Sequence, residues 1–219
     1  MNLAVRPRTV TAILLLLAGA AMGQNASDPA SPGDQGKSAP EWGFRASATG
    51  YFIPDDRDYV QPSFSADRGR LHLEARYNYE SMETGSLWAG CNFSTGRTVT
   101  FELTPMVAGV FGDTAGVAPG YRMTLGWRKL ALYSEGEYVV DLRDRAGNFF
   151  YNWSELSYSP TDWLRAGLVS QRTRAYQTEL DIQRGVLVGF SGKRFDFTAY
   201  VFNAGWTDPT VVLSLGVGF

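Results

Sequence analysis

The chain has 219 residues, with 20 Lys and Arg against 22 Asp and Glu, a formal net charge of -2, one His and one Cys. So balanced a charge offers nothing to a polyanion and sets nucleic-acid binding aside. A single Cys excludes an intramolecular disulfide framework, so the fold must hold by other means.

In chain order, the first segment is "MNLAVRPRTVTAILLLLAGAAMGQ": Arg6 and Arg8, then an apolar run from Val10 to about Met22, then small residues. This pattern predicts a secretory signal peptide over residues 1–23, because the run is shorter than the roughly 20 residues a spanning helix needs. Residues 24–41, "QNASDPASPGDQGKSAPE", carry almost no large apolar side chain and cannot offset their ordering entropy. They are expected to form a flexible periplasmic tail.

From Trp42 onward the sequence alternates with period two. In "RLHLEARYNYE" the residues Leu71, Leu73, Ala75, Tyr77 and Tyr79 oppose Arg70, His72, Glu74, Arg76, Asn78 and Glu80. A helix would have no apolar stripe here, whereas a strand is cleanly two-faced. The same alternation recurs in "VTFELTPMV", "GYRMTLGWR" and "FDFTAYVF". In "NFFYNWSELSYSP" two registers compete, and the one with Tyr151, Trp153 and Glu155 inside is preferred, since it keeps Glu155 away from lipid. Pro62 and Pro105 fall inside strands, where each predicts a bulge or a strand end.

Turn signals from "PDDRD" to "WTDP" divide residues 42–219 into about twelve segments of roughly 9 to 11 residues, the length of a tilted strand crossing a bilayer. The tightest breaks, "DRG", "STG", "RK", "SPTD" and "GKR", alternate with longer ones, as short periplasmic turns alternate with longer outer loops. The fold class is therefore all-β: a closed antiparallel transmembrane β-barrel of 12 strands, with 10–14 as the range. Aromatic girdles follow from the count, with Trp42, Trp127, Trp163, Phe195 and Phe219 at the short-turn rim and Tyr51, Phe52, Tyr59, Tyr79, Phe111 and Trp206 at the other.

The last segment, "TVVLSLGVGF", sets Val211, Leu213, Leu215, Val217 and Phe219 toward lipid, and its free edge must pair with "WGFRASATGYF" to close the barrel. A final Phe after alternating apolar residues resembles the C-terminal assembly signal of Gram-negative outer-membrane β-barrel proteins. Size and strand number are similar to the small oligosaccharide-uptake porins of about a dozen strands. The resemblance implies an outer-membrane location after export, with membrane lipid and the barrel-assembly machinery as partners, the latter through the strand ending at Phe219.

Alternation turns a charged set inward, and the candidate pore-lining residues are Arg45, Arg70, His72, Glu74, Arg76, Glu102, Arg122, Glu135, Glu137, Arg165, Glu179 and Asp181. As a channel, the barrel passes small polar or charged solutes passively, with Arg45, Arg76, Arg122 and Arg165 on one wall and Glu135, Glu137, Glu179 and Asp181 on another. As a closed structural or anchoring barrel, the same charges pair across a collapsed lumen. The third reading is an outer-membrane lipid hydrolase, which would need a Ser near His72; no Ser flanks it on its strand face. No catalytic residue, metal site or cofactor is expected, and Cys91 alternates with Leu87, Ala89 and Phe93 toward lipid.

Overall fold

The computed structural model describes residues 40–54, 56–175, 181–205 and 209–219, so the expected signal peptide and nearly all of the tail lie outside the described residues. The strands are β1 (Gly43–Phe52), β2 (Tyr59–Arg68), β3 (Leu71–Tyr77), β4 (Thr84–Cys91), β5 (Phe93–Thr95), β6 (Val99–Gly112) and β7 (Gly116–Trp127). They continue as β8 (Leu130–Asp141), β9 (Phe149–Tyr158), β10 (Leu164–Ala175), β11 (Asp181–Ser191), β12 (Phe195–Phe202) and β13 (Thr210–Gly218).

Consecutive strands pair antiparallel, except that β4 and β5 do not pair with each other, and β1 pairs with both β2 and β13, so the sheet closes. Strands β4 and β5 both pair with β6 and form one stave interrupted at Asn92, which gives twelve staves. Closure leaves no free edge, which is what a strand structure requires in hydrocarbon.

Pro105 lies opposite the β4/β5 break, between the Phe93–Leu103 and Gly90–Met106 pairings, where a missing N–H costs no ladder bond. Pro62 pairs across to Ala48 on β1, while the β2–β3 ladder begins only at Ser63. Both prolines therefore mark interruptions, as their positions predict.

The outward face is apolar over most of its circumference: Leu73, Leu87, Val107, Leu168, Val186 and Leu215 are all exposed. The short turns, at residues 69–70, 96–98, 128–129, 159–163 and 192–194, share one rim with the start of β1 and the end of β13. At this rim Trp42, Trp127, Trp163, Phe195 and Phe219 are exposed and form the expected girdle. The seam is an aromatic cluster, in which Phe44 and Phe219 exchange both backbone hydrogen bonds at 2.9 Å and stack with ring centroids 6.0 Å apart.

The other girdle is thinner than the sequence predicts. Phe52 and Phe111 face outward, but Tyr51, Tyr59 and Tyr79 turn into the barrel, and Trp206 lies outside the described residues. Alternation through "RYNYE" fails at Asn78, whose φ of 56° breaks the strand after Tyr77. Asn78 then holds the β3–β4 loop, its Oδ1 accepting from the Glu83 N–H at 2.9 Å, and Tyr79 swings inward.

Toward the loop rim the inward residues are apolar. Tyr51, Trp153, Val169, Leu187, Tyr200, Phe202 and Val212 make one buried cluster, and Trp88, Met106, Ala108, Val110, Ala118 and Val139 make another. Trp88 reaches across β6 to lie over Gly120, where a Cβ would sit 2.9 Å from its ring. These clusters partly fill the lumen, in addition to the outward hydrophobic face.

Candidate functional site

The inward face of β1, β2, β3, β7, β8, β9, β10, β12 and β13 surrounds a cavity of about 520 Å³. Its polar lining includes Ser47, Thr49, Gln61, Ser63, Thr124 and Ser157, beside Arg45, Arg76, Arg122 and Arg165 and beside Glu74, Glu135 and Glu155. Two further cavities, of about 430 and 410 Å³, open among the loops of the other rim. Tyr51, Gln61, Tyr79 and Tyr151 line both the first cavity and one of these, so they form the partition between the two halves of the lumen. Across it Tyr51 stacks on Tyr59 at 4.6 Å, and Tyr79 meets Tyr151 edge-on at 5.6 Å.

One wall carries a continuous charged ladder. His72 bonds Asp67 through Nδ1 at 2.8 Å and Glu74 through Nε2 at 3.3 Å. Glu74 accepts from Arg76 Nη2 at 3.1 Å and from Arg122 Nη2 at 2.9 Å, and Arg76 continues to Glu137 at 3.3 Å. Arg76 Nε lies 3.1 Å from Glu74 Oε1, close enough for an ion pair but not aligned for a hydrogen bond. The Arg76 guanidinium lies over both Tyr79 and Trp88, at 4.3 and 4.6 Å from the ring centroids. Glu135 accepts from Tyr79, and from the Tyr133 hydroxyl at 2.7 Å.

The facing wall has Glu155 as its hub, accepting from Trp153 Nε1 at 2.9 Å, Arg165 Nη1 at 2.6 Å and Tyr200 at 2.8 Å. Arg165 also donates to Thr198 at 2.8 Å. The register with Tyr151, Trp153 and Glu155 inside is the one observed.

Of the candidate residues, His72, Glu74, Arg76, Arg122, Glu135 and Glu137 come together in the ladder, Arg165 faces it, and Arg45 pairs with Asp196 nearer the short-turn rim. Glu102, on the inward face near the same rim, is exposed, and so is Asp181 at the loop end of β11. Glu179 lies outside the described residues.

Two expectations are corrected. Arg70 does not line the lumen: it sits exposed in the β2–β3 turn with its guanidinium 5.7 Å from the Phe93 ring centroid. Nor do arginines and carboxylates occupy separate walls. Arg76 and Arg122 are locked to Glu74, Glu135 and Glu137, because isolated charges in so narrow a lumen would lose more hydration than segregation could return. The tyrosine partition went unrecognised, although Tyr51 and Tyr59 lie on the inward parity of their strands.

Cys91 pairs with Leu71 on the outward face, as its alternation predicts. Among the described residues no group of His, Cys, Asp and Glu is arranged to hold a metal ion.

A closed, twelve-stave antiparallel barrel, apolar outside and charged within, has the architecture of a Gram-negative outer-membrane β-barrel protein. No protein-family model matches the sequence, and no curated protein does. Among solved structures, the KdgM porin superposes with a TM-score of 0.59 at 11% identity, over 80% of this chain and 99% of that one. The KdgM porin in complex with disordered oligogalacturonate gives 0.59 at 10% identity over the same shares. Pseudomonas aeruginosa OccK5 (OpdH) is more distant, with a TM-score of 0.43 at 8% identity over 81% of this chain and 66% of that one. The fold is thus similar to that of the KdgM porin.

Proposed function

We propose that the protein is a narrow passive channel of the outer membrane for small polar solutes, constricted at the tyrosine partition. The observation that carries this reading is that Tyr51, Gln61, Tyr79 and Tyr151 line two cavities at once, so a polar chamber and a cavity open toward the loops adjoin at these side chains. The signal peptide expected over residues 1–23 and the tail expected at 24–41 fit the same location, and the short turns face the periplasm by the rule for such barrels.

Selectivity follows from pairing. The lumenal arginines Arg45, Arg76, Arg122 and Arg165 each meet a carboxylate, so among the described residues no free cationic strip is left for a polyanionic chain. Although one superposed porin holds oligogalacturonate, this lumen suits uncharged or weakly charged solutes of monosaccharide size or smaller.

The test is single-channel conductance of the refolded protein in a planar bilayer, in salt gradients, for wild type and for Tyr79→Ala with Tyr151→Ala. The expected result is small, discrete steps of weak ion selectivity, enlarged about twofold or more when the partition is trimmed. Silence from both proteins, each shown folded by heat-modifiable gel mobility, overturns the channel and favours the closed structural barrel. Silence from wild type alone would identify the tyrosines as a seal.

A further inference from the structure

Most of the outward face is apolar, but one sector is not. On β7 to β11 the outward positions include Tyr121, Ser134, Asn152, Ser154, Ser170, Arg172 and Arg184, on the same parity as the lipid-facing Leu125, Leu132, Leu156, Leu168 and Val186. Ser134 stands opposite Ser154, Ser154 opposite Ser170, and Ser170 opposite Arg184, making one polar row across four strands.

Much of this sector satisfies itself. Asn152 Nδ2 donates to Tyr121 OH at 3.1 Å, to Ser134 Oγ at 3.1 Å and to the Glu135 carbonyl at 2.8 Å, while Ser154 donates to Asn152 Oδ1 at 3.0 Å. These groups need no partner from outside. The end of the row differs. Ser170 Oγ is buried without a hydrogen-bond partner, and Arg172 and Arg184 are exposed, neither in an ion pair with a described residue. Arg172 stands opposite Ile182 and Arg184 opposite Ser170, so the two guanidinium stems are diagonal neighbours on adjacent strands, about 7 Å apart.

An arginine on a lipid-facing strand costs about 2 to 4 kcal/mol at the bilayer midplane and about 0 to 1 near the interface. Arg172 and Arg184 each lie three residues inside the loop-rim end of a strand, within snorkelling reach of the headgroup level. We propose that Arg172 and Arg184, with Ser170 beside them, form a binding site for the phosphate of an anionic outer-leaflet lipid. Two exposed arginines at diagonal positions of one outward face can bring two forks of N–H donors to a single phosphate group. A second copy of the chain is disfavoured as occupant, because a twofold contact through this patch would bring four guanidiniums together. The inference rests on the membrane-barrel reading and is independent of whether the lumen conducts.

The experiment is native mass spectrometry of the refolded protein released from zwitterionic detergent, with bisphosphorylated lipid A titrated in. Wild type is compared with Arg172→Gln/Arg184→Gln and with Arg172→Leu/Arg184→Leu, whose leucines favour the lipid face and keep a folded variant in hand. Heat-modifiable mobility confirms the barrel separately, so loss of folding and loss of binding are distinguishable. The expected result is retention of lipid A by wild type, weakened about tenfold or more in both double variants. Dephosphorylated lipid A should bind wild type as weakly as intact lipid A binds the variants, and equimolar inorganic phosphate should not compete. Equal retention by wild type and variants overturns the proposal, as does equal binding of dephosphorylated lipid A. Displacement by free phosphate, or a wild-type dimer that the substitutions dissolve, overturns it in favour of a solute site or a second copy.

Discussion

Arg45 on β1 and Asp196 on β12 form an ion pair that crosses over β13 at Gly216, where a Cβ would collide with the guanidinium and lie 2.8 Å from the Asp196 carboxylate. The glycine therefore provides the bed for a bridge between strands that are not neighbours in the sheet. Both side chains are partly exposed, 47% and 31%, so the pair adds little stability, about 1 kcal/mol or less. Arg45→Ala is expected to leave the urea-unfolding midpoint in vesicles nearly unchanged while raising single-channel conductance, since it removes bulk from the cavity lining. A large loss of stability with unaltered conductance would contradict this account of the pair.

The two faces of the barrel should separate cleanly under charge substitution. Leu168 is 60% exposed in the middle of β10 and faces lipid. Leu168→Arg is expected to cost about 2 to 4 kcal/mol, read as a lowered folding yield and unfolding midpoint in vesicles. Ser63 lines the cavity and shares a 2.7 Å hydrogen bond with Ser47, so Ser63→Glu should fold in normal yield. Equal tolerance at the two positions would refute the assigned topology. Glu74 is a poor choice for the inward control, because it is buried and holds His72, Arg76 and Arg122 together.

Period-two patterning in "RLHLEARY" and "TVVLSLGVGF" made the barrel legible, because lipid on one side and polar groups on the other force strict alternation. It fails where a local backbone choice resets the count, and Asn78 at positive φ is the case that turned Tyr79 from girdle to partition. The ion pairs were out of reach for another reason. Arg45 and Asp196 are 151 residues apart, and Arg76 and Glu137 are 61 apart, so their meeting depends on register and reach rather than on any local pattern. Arg172 and Arg184 are within reach of the pattern, since the same parity that puts Leu168 and Val186 outside puts them there too.

The closing seam invites a test of assembly. Phe219 stacks on Phe44 at 6.0 Å and lies 6.3 Å from Phe64, on the outward side of the β1–β13 junction. Aromatic pairs of this kind contribute about 0.5 to 1.5 kcal/mol each beyond their area. Phe219→Ala is expected to slow refolding into vesicles and lower its yield, with Phe219→Tyr restoring most of both, followed by the appearance of the heat-modifiable band. Wild-type rates in the alanine variant would show that the seam closes on its backbone bonds alone.

The strongest single dependence predicted for the fold is on Arg76. Its side chain is 3% exposed, and it lies between the rings of Tyr79 and Trp88 while facing Glu74 and Glu137, themselves 6% and 3% exposed. Glu137 finds its only ion-pair partner among the described residues in Arg76, so truncation leaves a carboxylate buried without a counter-charge. Arg76→Ala should therefore cost about 3 to 5 kcal/mol. Arg76→Lys should recover part of that, because an ammonium can neutralise one carboxylate but cannot fork between two or stack flat on two rings. The double variant Arg76→Met/Glu137→Gln should lie closer to wild type than Arg76→Ala, since it removes the orphaned charge along with its partner. Urea unfolding in vesicles ranks the four proteins, and an Arg76→Ala protein as stable as wild type would show that water or mobile ions already screen the ladder.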